Sequence, residues 1–235
     1  LGGFLDFVGT GGRPEKFLGY GQPGLSGVAA IERGDFDVLI ETTPTNLTDG
    51  GSAFQFISAA IHKGMDVVSA NKGPFVLYFE QLKKMAAESG SRLFISAATG
   101  AALPTLDVGK FSTVGAEITC IEGVLNGTTN FILTKMGLDK ISYADALKEA
   151  QAMGIAETDP TLDVEGYDTR NKLVLIVNTL FNGSYGVCDV PVKGIAGIAY
   201  EDIARGAEAG KVLKLIATAE VKEGSIKLSV GPKYI

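Results

Sequence analysis

Five carboxylates stand ahead of a single lysine in the segment between Gly154 and Lys172. They are Glu157, Asp159, Asp163, Glu165 and Asp168. Because Asp168 lies four residues before Lys172, a helix places both side chains on one face, where each can hold the other in position. Helix capping accounts for one or two of these acids, but five are enough to gather around a cationic or hydroxylated ligand. The segment therefore predicts a catalytic site.

Any acid–base chemistry in this chain has to use lysine, carboxylate or hydroxyl groups. His62 is the only histidine, and we expect neither a Ser-His-Asp triad nor histidine-based zinc chemistry. Its place just before Gly64 indicates the C-terminal end of a helix, where a cation is favourable. Cys120 and Cys188 are too few for a disulfide framework and lack the spacing of metal ligands. We expect Cys120 to be a small buried side chain of a strand.

The charge of the chain limits its partners. Its 235 residues carry a formal net charge of −6, without a basic cluster that would favour nucleic acid or an anionic membrane, so we expect a small-molecule ligand. No apolar run reaches the roughly 18 to 20 residues of a membrane span, and the first residues lack the order of a signal peptide. We therefore expect a soluble, cytoplasmic protein.

The first part of the chain has the pattern of a parallel sheet. Short apolar runs alternate with helical segments that end at Gly64 and Gly90. The runs are 36–40, 66–70 and 92–97, and the helical segments between them are 52–63 and 76–89. Such continuous apolar runs are typical of parallel strands that are buried on both faces. The pattern predicts a βαβαβ unit, which is half of a doubly wound, Rossmann-like sheet.

The other half of such a sheet is not visible in the glycine-rich residues 1–30. Gly9-Thr10-Gly11 resembles the start of G-x-G-x-x-G, but Pro14 takes the third glycine position and no amphipathic helix follows. We interpret this tripeptide as a loop. The expectation is a nucleotide-binding domain, residues 1–98, that is incomplete in this chain.

The pattern changes after Thr99 and predicts an α+β domain, residues 99–235. Predicted strands are 117–125, 187–197, 214–221 and 225–230. Predicted helices are a short one that follows the run 126–130 and ends at about Met136, the segment between its cap Ser142 and its stop Gly154, and about 164–181. The fold class is therefore α/β with a partial doubly wound parallel sheet, followed by an α+β domain.

Polar residues follow the first two predicted strands. The carboxyl ends of parallel strands are where ligands of open sheets bind, so Lys72 is placed to meet a phosphate or a carboxylate. Thr42 and Thr43 could contact the same ligand through their hydroxyls, and simple turn chemistry explains them equally well.

Three segments carry a resemblance to a known family. They are SANKGP at 69–74, NGTTNFILTKM at 126–136 and AQAMGIAETDPTLDVEGYDTRNKL at 150–173. They closely resemble homoserine dehydrogenase, and the likeness spans residues 36–235, without the family's N-terminal glycine fingerprint or its C-terminal end. The resemblance implies an oxidoreductase acting on CH–OH that interconverts L-aspartate 4-semialdehyde and L-homoserine with NADP or NAD, in the biosynthesis of threonine and methionine.

The resemblance also implies roles for residues of the acidic segment. Lys172 would be the proton donor and acceptor at the substrate oxygen, with Asp168 as its partner. Glu157 and Asp163 would hold the substrate's ammonium and hydroxyl groups, because charge-assisted hydrogen bonds to carboxylates are strong. Asp159 and Glu165, which are left over, would cap the helix or be solvated.

Further roles concern the cofactor, an ion and the assembly. By the resemblance Lys72 contacts the nicotinamide cofactor and lies near the substrate, Gly154 lies against the cofactor, and Thr42 and Thr43 are weaker matches. The family often binds a monovalent cation such as sodium beside a glutamate, and Ser96 occupies that position here. Backbone carbonyls remain as candidate ligands at Thr99, Ala101 and Leu103. A homodimer through the second domain is implied as well.

Two other functions fit parts of the sequence. A dehydrogenase-derived binding or regulatory protein could hold an amino acid without turnover, and the absence of the glycine fingerprint favours it. A neighbouring oxidoreductase on the same plan would act on another aldehyde, and the match over residues 150–173 disfavours it.

Overall fold

A computed structural model describes residues 2–12, 16 and 24–235, and its first sheet is parallel. Its strands are β1 (Val38–Glu41), β2 (Asp66–Ser69) and β3 (Leu93–Phe94), in the order β1-β2-β3. Helix α3 (Gly51–His62) connects the first pair and helix α4 (Lys72–Ser89) the second. Gly64 and Gly90 have positive φ angles of 75° and 77°, as glycines that end helices often do. The predicted βαβαβ unit is confirmed.

One face of this sheet differs from the prediction. Val67 is fully buried against the helices, but on the opposite face Ile40 is 72% exposed and Phe94 is 48% exposed. The prediction that these strands are buried on both faces is therefore wrong. Their apolar composition suits a two-sided core, but a sequence pattern does not reveal whether a second layer is present.

Two helices precede the parallel sheet, α1 (Gly2–Gly9) and α2 (Gly27–Arg33). Gly9 ends α1, and Thr10 and Gly11 form the turn that follows, so the loop prediction is correct only for the last two residues of that tripeptide. Pro14 lies outside the described residues. Over the described ranges, no helix is both long enough and apolar enough to cross a membrane.

The second sheet is antiparallel. Its strands are β4 (Cys120–Gly123), β5 (Leu213–Lys222) and β6 (Ser225–Tyr234), in the order β4-β5-β6. The helices of this part are α5 (Ala97–Gly100), α6 (Thr105–Asp107), α7 (Gly127–Asp139), α8 (Tyr143–Ala152), α9 (Thr161–Val164), α10 (Tyr167–Leu180) and α11 (Tyr200–Glu208), with a π-helical turn at Val108–Ser112. The predicted α+β character is confirmed.

Three local predictions in this part need correction. The predicted strand 187–197 is a 3-10 turn, Val187–Asp189, followed by a single bridge between Val192 and Val230. The predicted helix 164–181 is divided by Gly166, whose φ of 80° is outside the helical range, and α11 was not predicted. Cys120 is exposed rather than buried.

Helix α10 packs into both hydrophobic cores of the molecule and is buried on both sides. Leu173 and Val177 belong to the core beneath the antiparallel sheet, whereas Leu175 and Ile176 pack among residues of the parallel unit. Because α10 carries Asp168 and Lys172 at its N-terminal end, both cores fix the position of these side chains.

A close backbone contact holds the loop beside α9. A Cβ added at Gly194 would lie 2.5 Å from the carbonyl oxygen of Val164, whereas one added at Gly197 would meet nothing within 4 Å. We expect Gly194→Ala to lower the free energy of unfolding by about 1 to 3 kcal/mol, the usual cost of overpacking. Gly197→Ala is the matched control and should change it by less than about 0.5 kcal/mol. Urea denaturation of both variants measures this, and equal stabilities would refute the contact.

Candidate active site

Asp168 is the second residue of α10 and has its carboxylate between two lysines. Its Oδ2 accepts a hydrogen bond from Lys172 Nζ at 2.8 Å, and its Oδ1 accepts one from Lys72 Nζ at 2.7 Å. Lys172 lies on the same face of α10, four residues later, whereas Lys72 comes from the first turn of α4, after β2. The structure thus brings three of the predicted site residues into direct contact.

The two lysines decide the ionisation of Asp168. Burial raises the pKa of its carboxyl, but the opposing charge of Lys172 and the hydrogen bonds from both lysines outweigh this effect and hold the pKa below its usual value. Asp168 is therefore ionised at neutral pH, and one carboxylate faces two ammonium groups.

Lys172 has a second partner. Its Nζ donates to the backbone carbonyl of Leu125 at 2.8 Å, and its side chain is 20% exposed. An ammonium group has three N–H donors. Within the described residues two of them have protein acceptors, which leaves one for a ligand.

Asn126 is a member of this site that the sequence analysis did not identify. Its Nδ2 donates to Asp163 Oδ1 at 2.7 Å and to Asp168 Oδ2 at 3.1 Å. The same side chain is the N-cap of α7, where its Oδ1 accepts from Thr129 N. The available signal was an asparagine directly before a glycine and two threonines at a helix start, which indicates a cap but not a contact with distant acids.

The remaining acids of the segment have different environments. Glu157 is exposed, and no other described residue is found hydrogen-bonded to its carboxylate. The carboxylate of Asp159 accepts hydrogen bonds from the hydroxyl and the backbone N–H of Thr161. These two hydrogen bonds lower the pKa of Asp159, as expected for a residue that supports the start of α9. Glu165 lines a separate cavity with Lys193.

The carboxyl edge of the parallel sheet is a buried polar network. Glu41, which is 2% exposed, accepts from the backbone N–H and the hydroxyl of Thr43 and from the hydroxyl of Ser69. Asn71 caps α4 by accepting from Gly73 N, and its amide donates to the carbonyl of Thr43. The Thr43 hydroxyl is therefore engaged within the protein.

Thr42 and Gly154 are open to a ligand. Thr42 is exposed at the end of β1. Gly154 follows α8 with a φ of 70°, which favours glycine, and a Cβ at this position would meet nothing within 4 Å. The backbone conformation therefore explains why a glycine occupies position 154.

The three residues of the predicted cation site lie around α5. Thr99 is within α5, Ala101 follows it with a φ of 51°, and the carbonyl of Leu103 accepts from Thr105 N at 2.8 Å. Ser96, at the position of the family's glutamate, donates its hydroxyl to Asp107 at 2.8 Å. The cation site stays a prediction.

Comparison with known proteins identifies the family. Residues 104–235 match the family model described as homoserine dehydrogenase. The chain is 39% identical over 211 residues to the homoserine dehydrogenase of Methanocaldococcus jannaschii, covering 89% of this chain and 62% of the relative. It is 38% identical over 208 residues to an NAD(+)-dependent homoserine dehydrogenase of Pseudomonas canavaninivorans, covering 88% and 59%.

A solved structure agrees over nearly the whole chain. A hyperthermophilic archaeal homoserine dehydrogenase mutant in complex with NADPH superposes with a TM-score of 0.79 at 25% identity, covering 98% of this chain and 65% of that one. The protein is thus a member of an oxidoreductase family with a Rossmann-like domain. It belongs to the homoserine dehydrogenase family, and the chain spans 62% and 59% of the two curated relatives' lengths.

Proposed function

We propose that this protein interconverts L-aspartate 4-semialdehyde and L-homoserine with NADP or NAD. The observation that carries the proposal is the cluster in which Asp168 holds both Lys172 and Lys72. In this proposal residues 1–98 bind the nucleotide, and residues 99–235 provide the substrate groups and the dimer contacts. The placement in threonine and methionine biosynthesis, and in the cytoplasm, rests on the family resemblance.

Lys172 moves the proton. In the direction of reduction, an N–H bond of its ammonium breaks as an O–H bond forms at the substrate's carbonyl oxygen, and in oxidation the hydroxyl proton returns to the amine. The nicotinamide cofactor, when bound, supplies the hydride donor or acceptor. Asp168 and the carbonyl of Leu125 orient the ammonium, and its remaining N–H is directed to the substrate oxygen.

The exposed carboxylate of Glu157 recognises the substrate's charge. Glu157 is exposed and, within the described part of the chain, lacks a cationic partner, so its carboxylate is available to the ammonium group of homoserine. Asp163 binds the hydroxyl side of the substrate and is held by Asn126. Lys72 contacts Asp168 from the start of α4, directly after the parallel strand β2.

The residues at the sheet edge fit a nicotinamide cofactor. Thr42 presents a hydroxyl at the carboxyl end of β1, and Lys72 presents its ammonium at the start of α4. Carboxyl ends of parallel strands are the usual site of dinucleotide binding. Thr43 supports this edge through Glu41, and a Cβ added at Gly154 would meet nothing within 4 Å. The proposal also includes a monovalent cation such as sodium, bound by the backbone carbonyls of Thr99, Ala101 and Leu103.

An apolar surface supports the proposed homodimer. A cavity of about 710 Å³ opens between the residues around the π-helical turn and β4, and Leu103 and Val108 line it. Nearby in sequence, Phe111 is 73% exposed and Val114 is 78% exposed. Exposed apolar groups that form a contiguous patch often mark a protein–protein interface.

The dimer can be tested by a charge on this surface. We expect Phe111→Glu to convert a dimer into monomers, because burying an unpaired carboxylate in the interface is costly. Leu138→Glu is a matched control, since Leu138 is 76% exposed on α7, away from the cavity. Light scattering would show twice the mass of one chain for the wild type and the control. A wild-type mass equal to that of one chain would contradict the proposed homodimer.

Turnover tests the proposed reaction. In the protein expressed from its complete coding sequence, Lys172→Ala should lower kcat for homoserine oxidation by about 10²- to 10⁴-fold, because the proton acceptor is lost. The affinity for NADPH should change little. Lys148→Ala, at an exposed position of α8, is the control. Homoserine binding without any wild-type turnover would support the binding-protein alternative instead.

Substitutions at two neighbouring acids distinguish substrate recognition from helix capping. Glu157→Gln should raise KM for homoserine by roughly tenfold, since a charge-assisted contact is worth about 1.5 to 3 kcal/mol and the amide keeps part of it. Asp159→Asn should leave KM unchanged, because the carboxylate of Asp159 is already hydrogen-bonded to the hydroxyl of Thr161. Steady-state kinetics of both variants gives the comparison. If the two variants have equal KM values, Glu157 is a solvated residue that does not contact the substrate.

A further inference from the structure

Asn126 lies where the chain turns from Leu125 into α7, and it is 6% exposed. Its single amide group contacts both Asp163 and Asp168. We propose that Asn126 is a positioning residue that fixes the Lys172–Asp168 pair and couples it to the substrate-binding Asp163. The inference rests on the proposed function for its kinetic part.

The orientation of this amide is determined by its other contacts. Oδ1 accepts from the backbone N–H of Thr129 at 2.9 Å and from its hydroxyl at 3.1 Å. Because the N–H can only donate, the oxygen of Asn126 must face α7 and Nδ2 must face the acids. The two N–H bonds of Nδ2 are thereby directed one to each carboxylate.

The neighbouring residue holds the other member of the pair. The carbonyl of Leu125 accepts from Lys172 Nζ at 2.8 Å, while Asn126 donates to Asp168 Oδ2 at 3.1 Å. Two consecutive residues thus bind the cation and the anion of one ion pair. A lysine side chain has several rotatable bonds, and the contacts of Lys172 with the Leu125 carbonyl and with Asp168 restrict where its ammonium group can lie.

A donor without negative charge suits this position for electrostatic reasons. Asp163 and Asp168 both accept from the same nitrogen, so their carboxylates are close together. An amide satisfies both acids without adding charge, whereas a third carboxylate would repel them.

Capping alone does not require an asparagine. Serine and aspartate cap helices about as well as asparagine, because the cap needs only a side-chain acceptor. Neither of them can donate two N–H bonds to the acids. Replacement of Asn126 therefore separates the role in the helix from the role in the site.

The test uses Asn126→Ser and Asn126→Asp in the protein expressed from its complete coding sequence. Both variants should keep the cap and the fold, but kcat for homoserine oxidation should fall at least about tenfold, with a smaller change in KM. The titration midpoint of the Asp168 carboxyl, followed by carbon NMR, should move to higher pH in both variants, and further in Asn126→Asp. Ser142→Ala, which removes the cap of α8 away from the site, is the control and should leave kcat and the midpoint unchanged.

Wild-type kcat within about twofold and an unmoved Asp168 midpoint in both variants would overturn the inference and leave Asn126 as a cap. If the wild-type protein does not turn over homoserine, the proposed reaction fails, and the Asp168 midpoint alone then decides whether Asn126 positions the pair. If Asn126→Asp does not fold, Asn126→Ser decides by the same two measurements.

Discussion

The carboxylate of Asp168 is buried and accepts hydrogen bonds from two ammonium groups that come from different parts of the chain. Burying one charge is costly unless opposite charges and donors compensate it. Lys172 is on the same helix, but Lys72 reaches Asp168 only if the start of α4 packs against the start of α10. The geometry of the site therefore depends on how the parallel unit is docked onto α10.

Several features of the fold serve this docking. Asn71 caps α4 and is joined through Ser69 to the buried Glu41, so the first turn of α4 is fixed to the carboxyl edge of the sheet. On the other side, α10 is packed into both cores, and Leu125 and Asn126 hold its residues Lys172 and Asp168. Substrate and cofactor groups of the proposed reaction would meet at the junction of these elements, where the two lysines lie.

Local chemistry was predictable from the sequence, and long-range packing was not. The parallel strands, the glycine ends of α3 and α4 and the pairing of Asp168 with Lys172 follow from spacing and backbone preferences. The contacts of Asn126 connect residues 37 and 42 positions apart, so no periodicity reveals them. The exposed face of β1 and β3 and the irregular segment after Val187 depend likewise on which neighbours are present. The position of Lys72 after the second strand already predicted a ligand contact, whereas the role proposed for Glu157 rests on the family resemblance.

A double-mutant cycle between Lys72 and Asp168 tests most directly whether their ion pair joins the two parts of the molecule. Lys72→Met, Asp168→Asn and the double variant would be compared with the wild type by urea denaturation at neutral pH, where Asp168 is ionised. A charge-assisted hydrogen bond at a largely buried site predicts a coupling free energy of about 1.5 to 3 kcal/mol. A coupling within about 0.5 kcal/mol of zero would show that the two lysines are not held by a common carboxylate, and the account of the site would be wrong.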